Sequence, residues 1–456
     1  MNTTVTRNPC KLCSPLGASL VFKGIRGTIP LLHGSQGCAT YIRRYFISHF
    51  REPVDIASSN FVETTSIFGG AKNLCEALEN INEQYRPEII GVATTCLSET
   101  IGDDVPLFLN NFLKKKGSET FPDIIFVSTP SYSGTHMDGF HSAVKSIVEY
   151  YSHLCESADS SFFGDRSEKS VAVFPNFVSP ADIRHLKEII LDFGMKPVFV
   201  PDYSQTLDGV SWNKYEKIPE GGTSRENLMS LREASFLLEL GNSLTGMDSA
   251  GKFLESKFGS KNYGLGLPIG IDLTDDFFNS LKIISGRKIP EKYIAQRGRL
   301  VDAYCDAHKY LFGKKAVVFG EEDMVVSIAQ FLCEIGVIPV LCASGAKGSE
   351  MRKALQQLSQ KYKNEIVIRT KADFVGIEEE AEILKPDFLI GNSKGYTLSR
   401  KLGIPLVRVG FPIHDRFGAS RILHLCYKGT QELFDRIVNA IVAKKQSESE
   451  AGYTYM

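Results

Sequence analysis

What this chain lacks narrows its function first. It has a single tryptophan and no excess of either charge: 52 lysines and arginines stand against 53 aspartates and glutamates, a net charge of −1. A protein that neutralises phosphates needs a basic stripe, so nucleic acid is not an expected partner. No apolar run approaches the roughly 20 residues that cross a bilayer, so no membrane association is expected. The opening MNTTVTRNPCKLCSP lacks the apolar core of a secretory signal, which makes the cytoplasm the expected location. There is no GxxxxGK[ST] phosphate loop. No second CxxC and no HxxxH follows the first CxxC to complete a zinc site.

What is present is a globular composition, 43% hydrophobic and 23% charged over 456 residues, long enough for three units. Ten cysteines lie at positions 10, 13, 38, 75, 96, 155, 305, 333, 342 and 426. A reducing compartment keeps such thiols free, so a disulfide framework is not expected. Cys75, Cys155, Cys305, Cys333, Cys342 and Cys426 read as small core hydrophobes, two of them inside the helical patterns AKNLCEAL and AQFLCEIG. The other four sit in different surroundings.

One pattern recurs along the chain: a short apolar run, a Gly/Ser/Pro-rich turn, then an amphipathic helix. It is clearest at 88–113, 171–194, 315–336 and 387–403, and the helices lead on to KPVFVPD, IPVLCASG and IPLVRVGFP. Ser179 before Pro180 predicts a helix cap with proline in the first turn. Strands alternating with helices predict an α/β fold of three Rossmann-like units, with parallel sheets flanked by helices. The expected boundaries are 1–165 for a first unit, 166–290 for a second, and 291–456 for a helical connector, third unit and C-terminal helix. The polar stretch 157–170 separates the first two units, and the tail KKQSESEAGYTYM is expected to fray.

In open parallel sheets ligands bind beyond the carboxyl ends of the strands. Cys96 follows the apolar run IIGVA and precedes a helix start, where the dipole favours thiolate. Cys38 ends IPLLHGSQGC, and Cys13 lies in NPCKLCSPLGAS, bracketed by prolines and glycine. Three cysteines in three such turns make a candidate ligand set for a metal centre. A Cys10–Cys13 redox dithiol and half of a zinc site stay open as alternatives. Asp302 and Asp306, four apart in a helical pattern, share a face that is either solvated or cation-binding. His33 and His136 flank the cysteine turns as ordinary turn histidines or as donors to sulfur, and Asp103 and Asp104 mark a helix start.

The motifs NPCKLCSPLGA, HGSQGCATYIRRYFISHFREP, SIFGGAKNL, TTCLSETIGDDV, TPSYSGTH, PEGGT, RGRLVDAYCDAH and VRVGFPIHDR together resemble the β-type subunit family of nitrogenase component 1 along the whole chain. The resemblance implies an oxidoreductase subunit that holds half of an eight-iron P-cluster (8Fe-7S) through Cys13, Cys38 and Cys96. Ser131 matches a serine that ligates the oxidised cluster. Tyr41 matches a tyrosine between that cluster and the catalytic cofactor, and Phe68 the docking surface of an ATP-dependent iron protein. Cys10 matches no ligand. Glu52, with the Arg51 carbonyl, matches the glutamate that meets Asp302 and Asp306 of a second copy around a calcium or ferrous ion. The implied partners are an α-type subunit, in an α2β2 heterotetramer, and the iron protein. The implied substrate is dinitrogen or another reducible compound such as a methylthio-alkane. GFPIHDRFGASRILHLCYKGTQEL also resembles the paralogous scaffold on which iron–molybdenum cofactor is assembled, which stays as the alternative. Retention of all three cysteines favours the relay subunit.

Overall fold

The computed structural model describes residues 8–116, 121–157 and 170–450. Three sheets follow one another along the chain. The first takes β1 (Thr28–His33), β2 (Ala57–Ser58), β3 (Ile89–Thr94) and β4 (Asp123–Val127) in the order β2-β1-β3-β4. The second takes β5 (Ser170–Phe174), β6 (Lys196–Phe199), β7 (Phe236–Leu240) and β8 (Lys261–Leu265) in the order β6-β5-β7-β8. The third takes β9 (Lys315–Phe319), β10 (Ile338–Ala343), β11 (Val367–Arg369), β12 (Phe388–Gly391) and β13 (Leu406–Arg408) in the order β11-β10-β9-β12-β13. Every pairing is parallel. All residues of β1 and β3 are buried, because helices cover both faces, which is why these strands read as continuous apolar runs.

The cap expected at Ser179 is present: its Oγ accepts from the Asp182 amide at 2.9 Å, and the helix Pro180–Asp192 follows. The helix Glu291–Leu311 packs against the C-terminal helix Cys426–Ser447, with Tyr304 and Phe434 ring centroids 5.1 Å apart. Tyr427 stacks on Phe278 of the helix Ile271–Ser285 at 5.0 Å, so the C-terminal helix also joins the third unit to the second. No helix among the described residues is long and apolar enough to cross a membrane.

Three expectations change. The first part of the tail is helical to Ser447, supported by a Lys444–Glu448 pair one turn apart at 2.7 Å, and its residues 451–456 lie outside the described residues. Cys305 is exposed and is not a core residue, because Leu300, Ala307 and Leu311 present the apolar stripe of its helix and position 305 falls off it. Cys75 is only partly buried, whereas Cys333, Cys342 and Cys426 are buried as expected. The side chain of Cys155 and the separating stretch 158–169 lie outside the described residues.

Candidate metal centre

The first sheet builds the site. β1, β3 and β4 are neighbours and parallel, so the turns after them open on one rim. Cys38 lies in the first turn of the helix Gln36–Phe50 that follows β1, and Cys96 opens the helix Cys96–Ile101 that follows β3. Ser131 follows β4. Cys13 arrives from the other direction: it caps the helix Ser14–Lys23, which precedes β1 and so returns its N-terminus to the carboxyl rim.

Close backbone contact brings these turns together. A Cβ on Gly34 would stand 2.0 Å from Thr95 Oγ1, so only glycine lets the turn bearing Cys38 approach the turn bearing Cys96. The helices Ser14–Lys23 and His136–Ser157 meet at Gly17 and Gly139, where a Cβ would lie 1.7 Å from the His136 carbonyl or 2.0 Å from the Ser14 carbonyl. That contact sets Ser131 beside Cys13: Ser131 Oγ accepts from the Ser14 amide at 3.1 Å.

The Cys38 thiol pKa is pushed up by burial and then by Cys13 and Cys96, so the three sulfurs are electrostatic neighbours. Cys13 and Cys38 are half-buried and Cys96 is exposed. Neighbouring thiolates on one rim are stabilised by a cationic metal centre, so this donor set fits an iron–sulfur group. Among the described residues no three His, Cys, Asp or Glu side chains close around a single ion.

Tyr41 is one turn beyond Cys38. Its hydroxyl donates to Tyr45 at 3.2 Å, and burial, Tyr45 and Cys13 all push its pKa up, so it stays a neutral phenol. Phe68 is 85% exposed and Ile67 75%, a projecting apolar tip on the same unit. Glu52 is half-buried; burial and then Asp208 push its pKa up, against a hydrogen bond from the Gly209 backbone. Asp302 and Asp306 are exposed on the helix Glu291–Leu311. Within one chain, no hydrogen bond or ion pair among the described residues joins Glu52 to either aspartate.

His33 does not face sulfur. Its Nδ1 pairs with Ser59 Oγ and its Nε2 with Asp103 Oδ2, each at 3.1 Å. Burial lowers its pKa despite the Asp103 carboxylate. Both Asp103 oxygens also accept from the Gly70 amide at 3.1 Å, which ties the Phe68 loop to the rim. This His33–Asp103–Gly70 chain was not legible in the sequence, where Asp103 read only as half of a helix start. Asp104 does play that part, accepting from the Leu107 amide at 3.1 Å.

Comparison with known proteins gives the family of the chain. The family described as Nitrogenase component 1 type Oxidoreductase matches residues 13–442. The nitrogenase molybdenum-iron protein beta chain of Clostridium pasteurianum is 36% identical over 97% of this chain and 94% of its own length. That of Azotobacter vinelandii is 34% identical over 98% and 86%. The nitrogenase iron-molybdenum cofactor biosynthesis protein NifN of Nostoc is 33% identical over 98% and 95%. A solved structure described as nitrogenase Cp1 at pH 6.5 superposes with a TM-score of 0.93 at 34% identity, covering 100% of this chain and 98% of that one. Residues 13–442, from the first rim cysteine into the C-terminal helix, thus place the chain in the nitrogenase component 1 type oxidoreductase family.

Proposed function

We propose that this chain is the electron-relay β-type subunit of a nitrogenase or nitrogenase-like reductase. Its Cys13, Cys38 and Cys96 would hold half of a P-cluster-type iron–sulfur group, shared with an α-type partner that carries the catalytic cofactor. The observation that supports this reading is that the turns bearing Cys13, Cys38 and Cys96 meet at one rim of the first sheet, Gly34 against Thr95 and Ser131 Oγ on the Ser14 amide. A bound cluster supplies one-electron redox chemistry, with a potential tuned by hydrogen bonding, burial and charge. The residues of this chain orient it. Ser131 stands beside Cys13 as a further oxygen donor, and Tyr41 offers an uncharged aromatic path away from the rim. The Phe68 tip supplies an apolar contact for an ATP-dependent iron protein. Asp302 and Asp306, with Glu52 of a second copy, would hold a calcium or ferrous ion between two α–β pairs.

The experiment is anaerobic purification with the α-type partner. Iron, acid-labile sulfide and a brown colour are expected, with ATP-dependent multiple turnover when the iron protein is added. A colourless, iron-free complex overturns the assignment. The likeness to NifN supports a second reading, a scaffold for cofactor assembly. Efficient donation of a cofactor to an apo-enzyme, without multiple turnover, would establish that reading instead.

A further inference from the structure

We propose that the third unit positions the ligand Cys13 through a strap, residues 8–12, with His136, Glu321 and Lys394 as positioning residues. The inference rests on the reading of Cys13 as a cluster ligand. The strap belongs by its contacts to the third sheet, although in sequence it precedes the first. Pro9 bridges Asp373, the Phe374 amide donates to the Asn8 carbonyl at 3.2 Å, and Cys10 exchanges backbone bonds with Ala372 and Gly345 at 3.0 Å each. The Cys10 side chain is buried in the core of the third unit, and burial, with Glu321, pushes its thiol up to about 12. It is a neutral plug and not a ligand. Lys394 Nζ donates to the Pro9 and Lys11 carbonyls at 2.9 and 3.3 Å.

At its far end the strap is clamped on both sides of Cys13. The Leu12 amide donates to His136 Nδ1 at 3.3 Å, and the His136 amide donates back to the Leu12 carbonyl at 3.0 Å. A backbone amide can only donate, so Nδ1 is the unprotonated nitrogen and Nε2 carries the hydrogen. That hydrogen points at Glu321 Oε1, 3.1 Å away, with both side chains under 10% exposed. Glu321 caps the helix that follows β9, so the carboxyl end of the third sheet reaches the residue before Cys13 through one imidazole. After Cys13, the Ser14 amide is fixed by Ser131. The ligand's backbone is thereby held from two units at once.

The test uses the full chain with its α-type partner, purified anaerobically, as wild type and as four variants. His136→Phe keeps an aromatic ring of similar reach and removes the two side-chain hydrogen bonds, leaving the backbone bond to the Leu12 carbonyl. His136→Asn restores an acceptor for the Leu12 amide through Oδ1. Lys394→Met releases the strap by an independent route, and Leu355→Ala destabilises the third unit away from the strap. Lost support behind a metal ligand costs about 10- to 100-fold in metal retention. His136→Phe and Lys394→Met are therefore expected to lose iron faster to a ferrous chelator by that factor and to shift the cluster's midpoint potential. His136→Asn should recover most of both effects. Leu355→Ala should lower Tm without moving the potential. Unchanged chelation rates and potentials in His136→Phe and Lys394→Met, with a normal wild-type cluster, overturn the inference alone. A shift in Leu355→Ala as large as theirs also overturns it. A wild type without a cluster overturns the ligand reading and this inference with it.

Discussion

The rims of the first and third sheets use the same architecture and the same side chain to opposite ends. Both sheets are parallel, both end their strands in turns at helix starts, and both place cysteines near those turns. On the first rim Cys38 is half-buried and Cys96 exposed, beside an apolar tip that projects into solvent. On the third, Cys10 and Cys342 are 5% and 0% exposed, and burial drives both thiols far above the usual range. A thiol without a path to solvent or to a cation stays protonated and packs like a methyl group. A thiol on an open rim, near others of its kind, is one a metal can take. Chemical identity does not separate the two sets, and accessibility with neighbours does.

Single replacements sharpen that contrast most. Cys38→Ala is expected to abolish the iron–sulfur absorption and paramagnetic signal of the complex and to weaken association with the partner. Cys342→Ala should leave both intact and lower stability only, by about 1 kcal/mol. Iron and sulfide analysis beside a melting curve reads the two effects, and equal iron loss would erase the distinction. The next largest difference is in labelling. With metal removed, the exposed Cys96 should react with a thiol-specific reagent at pH 8, while Cys10, buried and pushed up to about 12, should lag about a thousandfold behind an ordinary thiol.

The exposed tip gives a smaller effect on a different measurement. Phe68→Ala removes an apolar side chain that is 85% exposed, so stability should change by no more than about 0.5 kcal/mol. Reduction by the iron protein should slow through weaker docking, with the cluster spectrum unchanged. Stopped-flow reduction at varied iron-protein concentration distinguishes docking from chemistry. The smallest expected effect lies away from both rims. Asp302 and Asp306 repel as a pair by a few tenths of a kcal/mol unless a cation lies between them. Replacing both with Asn should let the assembly fall into α–β pairs at lower dilution, with its spectrum retained. Native mass measurements with and without chelator decide this, and identical dissociation throughout marks the two residues as a solvated helix face.

Much of this was legible in the sequence because its physics is local. The apolar runs of β1, β3, β9 and β12 and the cap at Ser179 report the fold through periodicity and backbone chemistry alone. Cys13, Cys38 and Cys96 stood out because proline and glycine turns after apolar runs are where such sheets open. Cys305 reads as a core residue in the sequence because only one residue of helical phase separates its solvent-facing position from the stripe of Leu300, Ala307 and Leu311. Periodicity and turn chemistry thus carried the architecture, and the surroundings of the cysteines marked out candidate ligands. Tertiary structure alone decided that Asp103 serves His33 and Gly70, that Cys10 is a buried plug, and that Glu321 reaches Cys13's neighbour across 309 positions through His136. Hydrogen bonds between residues so far apart leave no periodic trace in the chain, because the only thing that sets them is how the three units pack.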